Sequence, residues 1–195
     1  MDYAAPDIDL RLIERFAGGE EAAFDALVAR HRRVIYNLVY HMVGDREAAE
    51  DVTLEVFLQA YLSLPGFRRR AKFSTWLHRI AVNVCLQHLR QPRLRRQAAE
   101  VSLGEERVLT SEDAIEPVLR RETAALVVAA MQELPQTQRA AVILYHLQDR
   151  GFSEISEILG IPAGTAKTRI FHGTRMLREK LRALGVLPSS RRGDT

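Results

Sequence analysis

Residues 153–169, SEISEILGIPAGTAKTR, decide how the rest of the chain is read. Ile155, Ile158 and Leu159 give a short helix one apolar face at helical spacing. Gly160 permits a left-handed turn residue, and Pro162 keeps the first helix from continuing. A second helix over 164–182 then places Ala166, Ile170, Gly173, Leu177 and Leu181 on one stripe. Thr168, Phe171, His172 and Arg175 point the opposite way, with Lys167 and Arg169 on the flanks. A helix with a packed back and a front of donors fits the major groove, where side chains read base edges. The N–H groups of Gly164 and Thr165 open that helix and suit a phosphate. An αα-hairpin with a solvated basic face is the plain alternative. The short first helix, glycine turn and basic second helix together favour DNA.

Working outward, a helix near 138–148 ends by Gly151, and a helical pattern from Thr123 is broken at Pro135. Residues 123–187 thus read as one helical module and 188–195 as a frayed tail. Residues 93–122 mix Arg, Glu, Ser, Gly and Pro without a steady period and read as a linker. Before it, Phe24, Leu27, Val28, Val34, Ile35, Leu38, Val39 and Met42 share a helical stripe that Gly44 ends. Asp45 is a good N-cap for the next helix, which Pro65 and Gly66 stop. In that helix Val52, Val56 and Ala60 face a core, while Asp51, Leu54, Glu55, Leu58 and Leu62 form a second stripe. Apolar residues on two sides mean either deep burial or a partner surface. Ser74 caps a further helix reaching about His88. No segment alternates as a strand does. The expected fold is all-α: two small helical domains, 1–92 and 123–187, joined by a flexible linker.

The 195 residues carry 28 basic and 25 acidic side chains, a net of +3 that by itself does not point to nucleic acid. Resolved by segment, the balance is −6 over 1–66, +9 over 67–96, −5 over 97–119 and +5 over 164–182. Two basic blocks separated by acidic ones indicate polyanion contacts. In the first block Phe67, Arg68, Arg69, Arg70, Lys72 and Phe73 form a loop. Along the helix behind it, Thr75, Arg79, Asn83, Leu86 and Arg90 lie opposite Leu77, Ile80, Ala81, Val84 and His88, with Trp76 at the edge. Cations interleaved with aromatic and amide groups are what single-stranded DNA requires. Core packing explains Phe73 and Trp76 equally well.

A single cysteine, Cys85, forms no internal disulfide, which fits a reducing cytoplasm. The longest apolar run is the eight residues 124–131, short of the roughly 18 of a membrane span. The N-terminus is acidic and has no signal-peptide core, so a secreted protein is excluded. No P-loop, dinucleotide fingerprint, nucleophile elbow or zinc-finger spacing is present. Cys85 and His88 lack further ligands, and neither basic block offers carboxylates for a metal-dependent nuclease. No catalytic residue, metal or cofactor is expected.

Residues 24–90 resemble region 2 of the extracytoplasmic-function (ECF) sigma factors, the small two-domain members of the sigma-70 family. The match rests on Ala49, Glu50, Asp51 and Val52; Glu55, Val56 and Phe57; Phe67 and Arg68; and residues 73–77 with Arg79, Ile80, Ala81, Asn83, Leu89 and Arg90. Residues 126–184 resemble region 4 through Leu134, Pro135, Arg139, Glu154, Ile155, Leu159, Gly160, Gly164, Thr165, Lys167, Thr168 and Arg169. The resemblance implies a promoter-specificity subunit of RNA polymerase. Asp51, Leu54, Glu55 and Leu58 would bind the clamp coiled coil of the β′ subunit. Residues 67–72 would capture an extruded non-template base, with Trp76, Arg79, Asn83 and Arg90 on the −10 DNA-facing helix. Region 4 would dock near the β flap and meet −35 DNA through Gly164, Thr165, Lys167, Thr168, Arg169, His172 and Arg175. The linker would thread toward the active-site cleft, and an anti-sigma factor would hold the free protein inactive.

Three departures stand out. Leu54 replaces the usual Gln, Gln87 replaces a common Asp, and His172, Gly173 and Thr174 replace Arg-Ala-Arg, with Arg175 one place later. The last implies a non-consensus −35 sequence and a recognition helix loosened by Gly173. Two rivals remain. A helix-turn-helix regulator that is not a polymerase subunit explains 153–182 alone, and a nucleic-acid-processing enzyme lacks placed carboxylates.

Overall fold

The computed structural model describes residues 7–69, 71–90 and 115–188. Its described residues form eight α-helices and no strand. The N-terminal group is α1 (Ile8–Ala17), α2 (Ala22–Val43), α3 (Arg46–Ser63) and α4 (Phe73–Arg90), with a 3-10 turn at Leu64–Gly66. The C-terminal group is α5 (Ile115–Gln132), α6 (Gln136–His146), α7 (Phe152–Leu159) and α8 (Ala163–Ala183).

Local chemistry sets most of these ends. The Asp45 carboxylate accepts the Ala48 N–H at 2.7 Å and opens α3. Gly44, at φ 90°, ends α2 in a left-handed cap whose N–H bonds the Tyr40 carbonyl. Gly160, at φ 62°, turns the chain between α7 and α8, and the Ser156 hydroxyl donates to the Ile161 carbonyl across that turn.

Two expectations are corrected, and one helix is added. Ser74 is not an N-cap: Phe73 is already helical, and the Trp76 N–H bonds the Lys72 carbonyl two residues earlier than a Ser74 cap requires. Helix α5 begins at Ile115, inside the stretch read as linker, because Pro117 falls in its first turn, where a missing N–H is harmless. Ile8–Ala17 form α1, a helix the sequence reading did not assign; Asp7 caps it and Leu12 and Ile13 are buried. Residues 93–114 of the linker and most of the tail lie outside the described residues.

The two groups share one apolar core. Leu12, Leu27, Leu38, Val56 and Leu77 belong to the same buried cluster as Met131, Ile143, Ile155, Ala166 and Leu181. Helix α2 packs against α5 and α6, and α4 packs against α7. Between the groups, Gln132 Nε2 donates to the His41 carbonyl at 3.0 Å and Arg139 Nη1 donates to the Met42 carbonyl at 2.6 Å. These carbonyls lie in the last turn of α2, where no later N–H serves them. Region-to-region packing therefore also completes a helix end.

Candidate nucleic-acid interface

Three surfaces carry the residues singled out in the sequence. On α3 the second stripe is not buried: Leu54, Leu58 and Leu62 are 73%, 57% and 69% exposed, with Asp51 and Glu55 also on the surface. Val52, Val56 and Ala60 are buried, as their spacing required. Leu54 and Leu58 border a groove between α2 and α3 with Phe57 and Tyr61, and Arg32 and Arg33 supply its basic rim. Covering one such leucine fully is worth about 1.5–3 kcal/mol.

The second surface is the loop 67–72 with α4. Phe73 is buried, tilted against Trp76 at 5.6 Å and edge-to-face with His31 at 5.3 Å; it is a core residue. Phe67 and Trp76 are half-buried, their ring centroids 5.2 Å apart. Arg68, Arg69 and Lys72 are exposed, and Arg70 lies outside the described residues. Arg69 has φ 53° and pairs with Glu14 at 3.0 Å, so the unanticipated α1 helps position the basic loop. On α4, Arg79, Asn83 and Arg90 are exposed. Thr75, read as facing outward with them, is buried: its hydroxyl donates to Glu154 Oε1 of α7 at 3.2 Å. No spacing within α4 could have revealed a partner 79 residues away.

The third surface is α8. Gly164, Thr165, Lys167, Thr168 and Arg175 are exposed, and Arg169 and His172 are half-buried beside them. The Thr168 hydroxyl donates to the Gly164 carbonyl at 2.9 Å, leaving its oxygen free to accept. Phe171 is 66% exposed in the middle of this face. Arg178 and Arg182 extend the basic edge, lining a groove with Lys167, Phe171 and the stacked pair Tyr145 and Phe152. Their spacing of three and seven from Arg175 was the available signal. The unusual tripeptide has structural reasons. Gly173 lies directly under Val142 of α6, and Thr174 Oγ1 is 2.9 Å from His146 Nε2.

Three buried groups matter for the electrostatics. Burial pushes the Cys85 thiol up to about 12, which keeps it protonated and inert. Arg139 is buried without a carboxylate, and burial draws its guanidinium down to about 10, still charged at neutral pH. It donates to the Met42, Gln132 and Leu134 carbonyls and to the Gln132 side chain. His78 is buried, with Nδ1 2.6 Å from the Ser74 carbonyl. Burial, then the neighbouring Arg150, holds His78 down to about 4.

Residues 27–95 match the family model of sigma-70 region 2, and residues 124–177 match that of sigma-70 region 4. The ECF RNA polymerase sigma factor SigW of Bacillus subtilis is 35% identical over 179 residues, covering 88% of this chain and 96% of that protein. The RNA polymerase sigma-H factor of Pseudomonas aeruginosa is 33% identical over 183 residues, covering 90% and 95%. Among solved structures, CnrH in complex with the cytosolic domain of CnrY shares the fold, with a TM-score of 0.65 at 22% identity, covering 91% of this chain and 99% of that one. No helix among the described residues is long and apolar enough to cross a membrane.

Proposed function

Because the chain belongs to the sigma-70 family, in its ECF branch, we propose a division of labour among its three surfaces. The protein is an alternative sigma factor that directs transcription initiation, and its partners are core RNA polymerase, promoter DNA and an anti-sigma factor. It works in the cytoplasm by binding, without catalysis or cofactor. Residues 1–92 act as the region 2 module, and α5 through α8 act as the region 4 module.

The exposed stripe of α3 docks on the clamp coiled coil of β′. Leu54 and Leu58 enter the interface, and Asp51 and Glu55 flank them with charge. Leu54, where the family has Gln, exchanges a polar contact for apolar area. The region 4 module docks near the β flap, and α8 enters the major groove at the −35 element. Lys167, Arg169 and Arg175 hold phosphates or guanine edges, Thr168 and His172 read bases, and the start of the helix at Gly164 and Thr165 takes a phosphate. At the −10 element, Arg68, Arg69, Arg70 and Lys72 hold the melted non-template strand. Phe67 and Trp76 offer ring edges to an unstacked base, and Arg79, Asn83 and Arg90 continue the track along α4. Capturing unpaired bases offsets the few kcal/mol of extrusion.

The exposed leucine stripe carries this reading, since a helix-turn-helix regulator acting alone has no use for it. Purified core polymerase is the test. Promoter-dependent transcripts should appear only when this protein is added, and their absence from every template in a genomic library would exclude a sigma role.

A further inference from the structure

We infer that α8 holds DNA along its whole length, with Arg178 and Arg182 binding duplex phosphates that flank the sequence read by its first half. This deepens the reading of α8 as the −35 helix and rests on it. Helix α8 has 21 residues, about 30 Å of axis, whereas a major groove is ~12 Å wide. A helix that enters by its first turns therefore carries its last turns past the base edges and over the sugar-phosphate backbone. At about 100° per residue, Arg178 and Arg182 each stand within roughly 20° of Phe171 around the axis. The face that meets the bases thus continues to the end of the helix. Both arginines are exposed, and no described carboxylate pairs with either. Their neighbours are committed elsewhere: Arg175 lies 4.0 Å from Glu179, and Lys180, on the opposite side of the helix, pairs with Glu133.

The groove beside these arginines fits the same ligand. Tyr145 and Phe152, stacked at 5.2 Å, line it together with Arg178 and Arg182. A cationic edge beside an apolar ring pair suits a nucleic-acid backbone, its phosphates on the guanidinium groups and its sugars on the rings. Continuity fixes the occupant, because a duplex seated on the first half of α8 already lies against this strip. Such contacts carry no sequence information and add affinity uniformly. The middle of α8 shows why that matters for this chain. Gly173 packs under Val142, and Thr174 bonds to His146. Two positions of the unusual tripeptide are thus spent on packing against α6, and the flanking arginines supply affinity through phosphates instead.

The test uses the full chain with Arg178→Ala and Arg182→Ala combined, titrated by fluorescence anisotropy. The probes are three labelled duplexes: one selected from a random pool by the wild type, a scramble of equal length, and the selected element trimmed of its flanks. At about 0.15 M salt one phosphate contact is worth roughly fivefold in affinity. The double variant should therefore bind both long duplexes at least ~10-fold more weakly, with a salt slope lower by about two. On the trimmed duplex it should match the wild type, which also shows that it is folded. Arg178→Lys with Arg182→Lys should restore affinity and slope, since a phosphate needs the charge and not the guanidinium fork. A loss confined to the selected sequence would make these arginines base readers and overturn the inference. So would an equal loss on the trimmed duplex, or failure of the lysine pair to rescue. Unchanged DNA binding with weaker core polymerase binding by native gel shift would assign the strip to a protein partner, and would overturn it too. Lys167→Ala separates the inference from its premise. If that variant weakens DNA binding and the arginine pair does not, only the inference falls; if neither does, α8 is not the DNA helix and both fall.

Discussion

Replacing Gly173 with alanine separates a helix-propensity argument from a packing argument, because the two give opposite signs. In an isolated helix the change stabilises by about 1 kcal/mol. Here a Cβ at position 173 would stand 2.6 Å from Val142 Cγ2 and 3.3 Å from both Cβ and the carbonyl oxygen of Gln138. Val142 is fully buried on α6, and a helical valine has one favoured χ1, so its methyl has no ready retreat. Overpacking of this kind costs about 1–3 kcal/mol. The net expectation is destabilisation of about 1 kcal/mol, or 2–4 °C in Tm for a chain of this size. Val142→Ala alone removes two methyl groups and leaves a cavity, roughly 2 kcal/mol. In the double variant the new methyl enters that cavity, so the costs should fall short of additive by 1 kcal/mol or more. Urea unfolding of the four proteins closes the cycle. A higher midpoint for Gly173→Ala, or additivity within about 0.5 kcal/mol, would refute the close approach of α6 and α8.

Three further outcomes are expected. His78 is held down to about 4, below the 6.5 of an ordinary imidazole, with Arg150 and His31 its charged or titratable neighbours. Between those values the unfolded chain binds a proton that the folded chain refuses. The associated stability is whole above pH 6.5 and falls as pH drops, by about 2 kcal/mol at pH 5; a urea midpoint no lower at pH 5 than at pH 7.5 would contradict this. Leu54→Asp with Leu58→Asp should leave the unfolding midpoint within about 0.5 kcal/mol yet weaken core polymerase binding at least ~10-fold, read by native gel shift. Lys167→Ala or Arg169→Ala should weaken duplex −35 binding and lower its salt slope by about one. Asn83→Ala should leave that binding unchanged and reduce permanganate-reactive thymines in the open complex; equal effects on duplex affinity would contradict the separation of roles. Trp76→Ala is the poorer probe, since its ring also packs on Phe67 and Phe73.

What the residues disclose on their own is governed by distance along the chain. The turn at Gly160, the stripe of Ala166, Ile170, Gly173, Leu177 and Leu181, and the cap at Asp45 involve neighbours within a few positions, and all are present. The leucine stripe of α3 was visible, but its meaning was not, because exposure depends on what the rest of the chain leaves uncovered. Ser74 failed as a cap since the Lys72 carbonyl already opens α4. Thr75, Gln132, Arg139 and Glu154 acquire their roles from partners 79 to 97 positions away, and periodicity carries no information at that range. Gly173 was read as a weakness of one helix. Its reason lies on another.

The buried cluster shared by both helical groups has a consequence for how the chain would respond to a break. Cut within 97–114, the two halves would lose a covalent tether but none of the contacts among the described residues that hold them together. They should behave as complementing fragments, associating with a measurable Kd and melting together while bound. The tether then amounts to an effective concentration. Lengthening that segment should weaken the association of the two groups gradually, its free energy changing roughly as the logarithm of the segment's length, with every side chain in the interface left as it is.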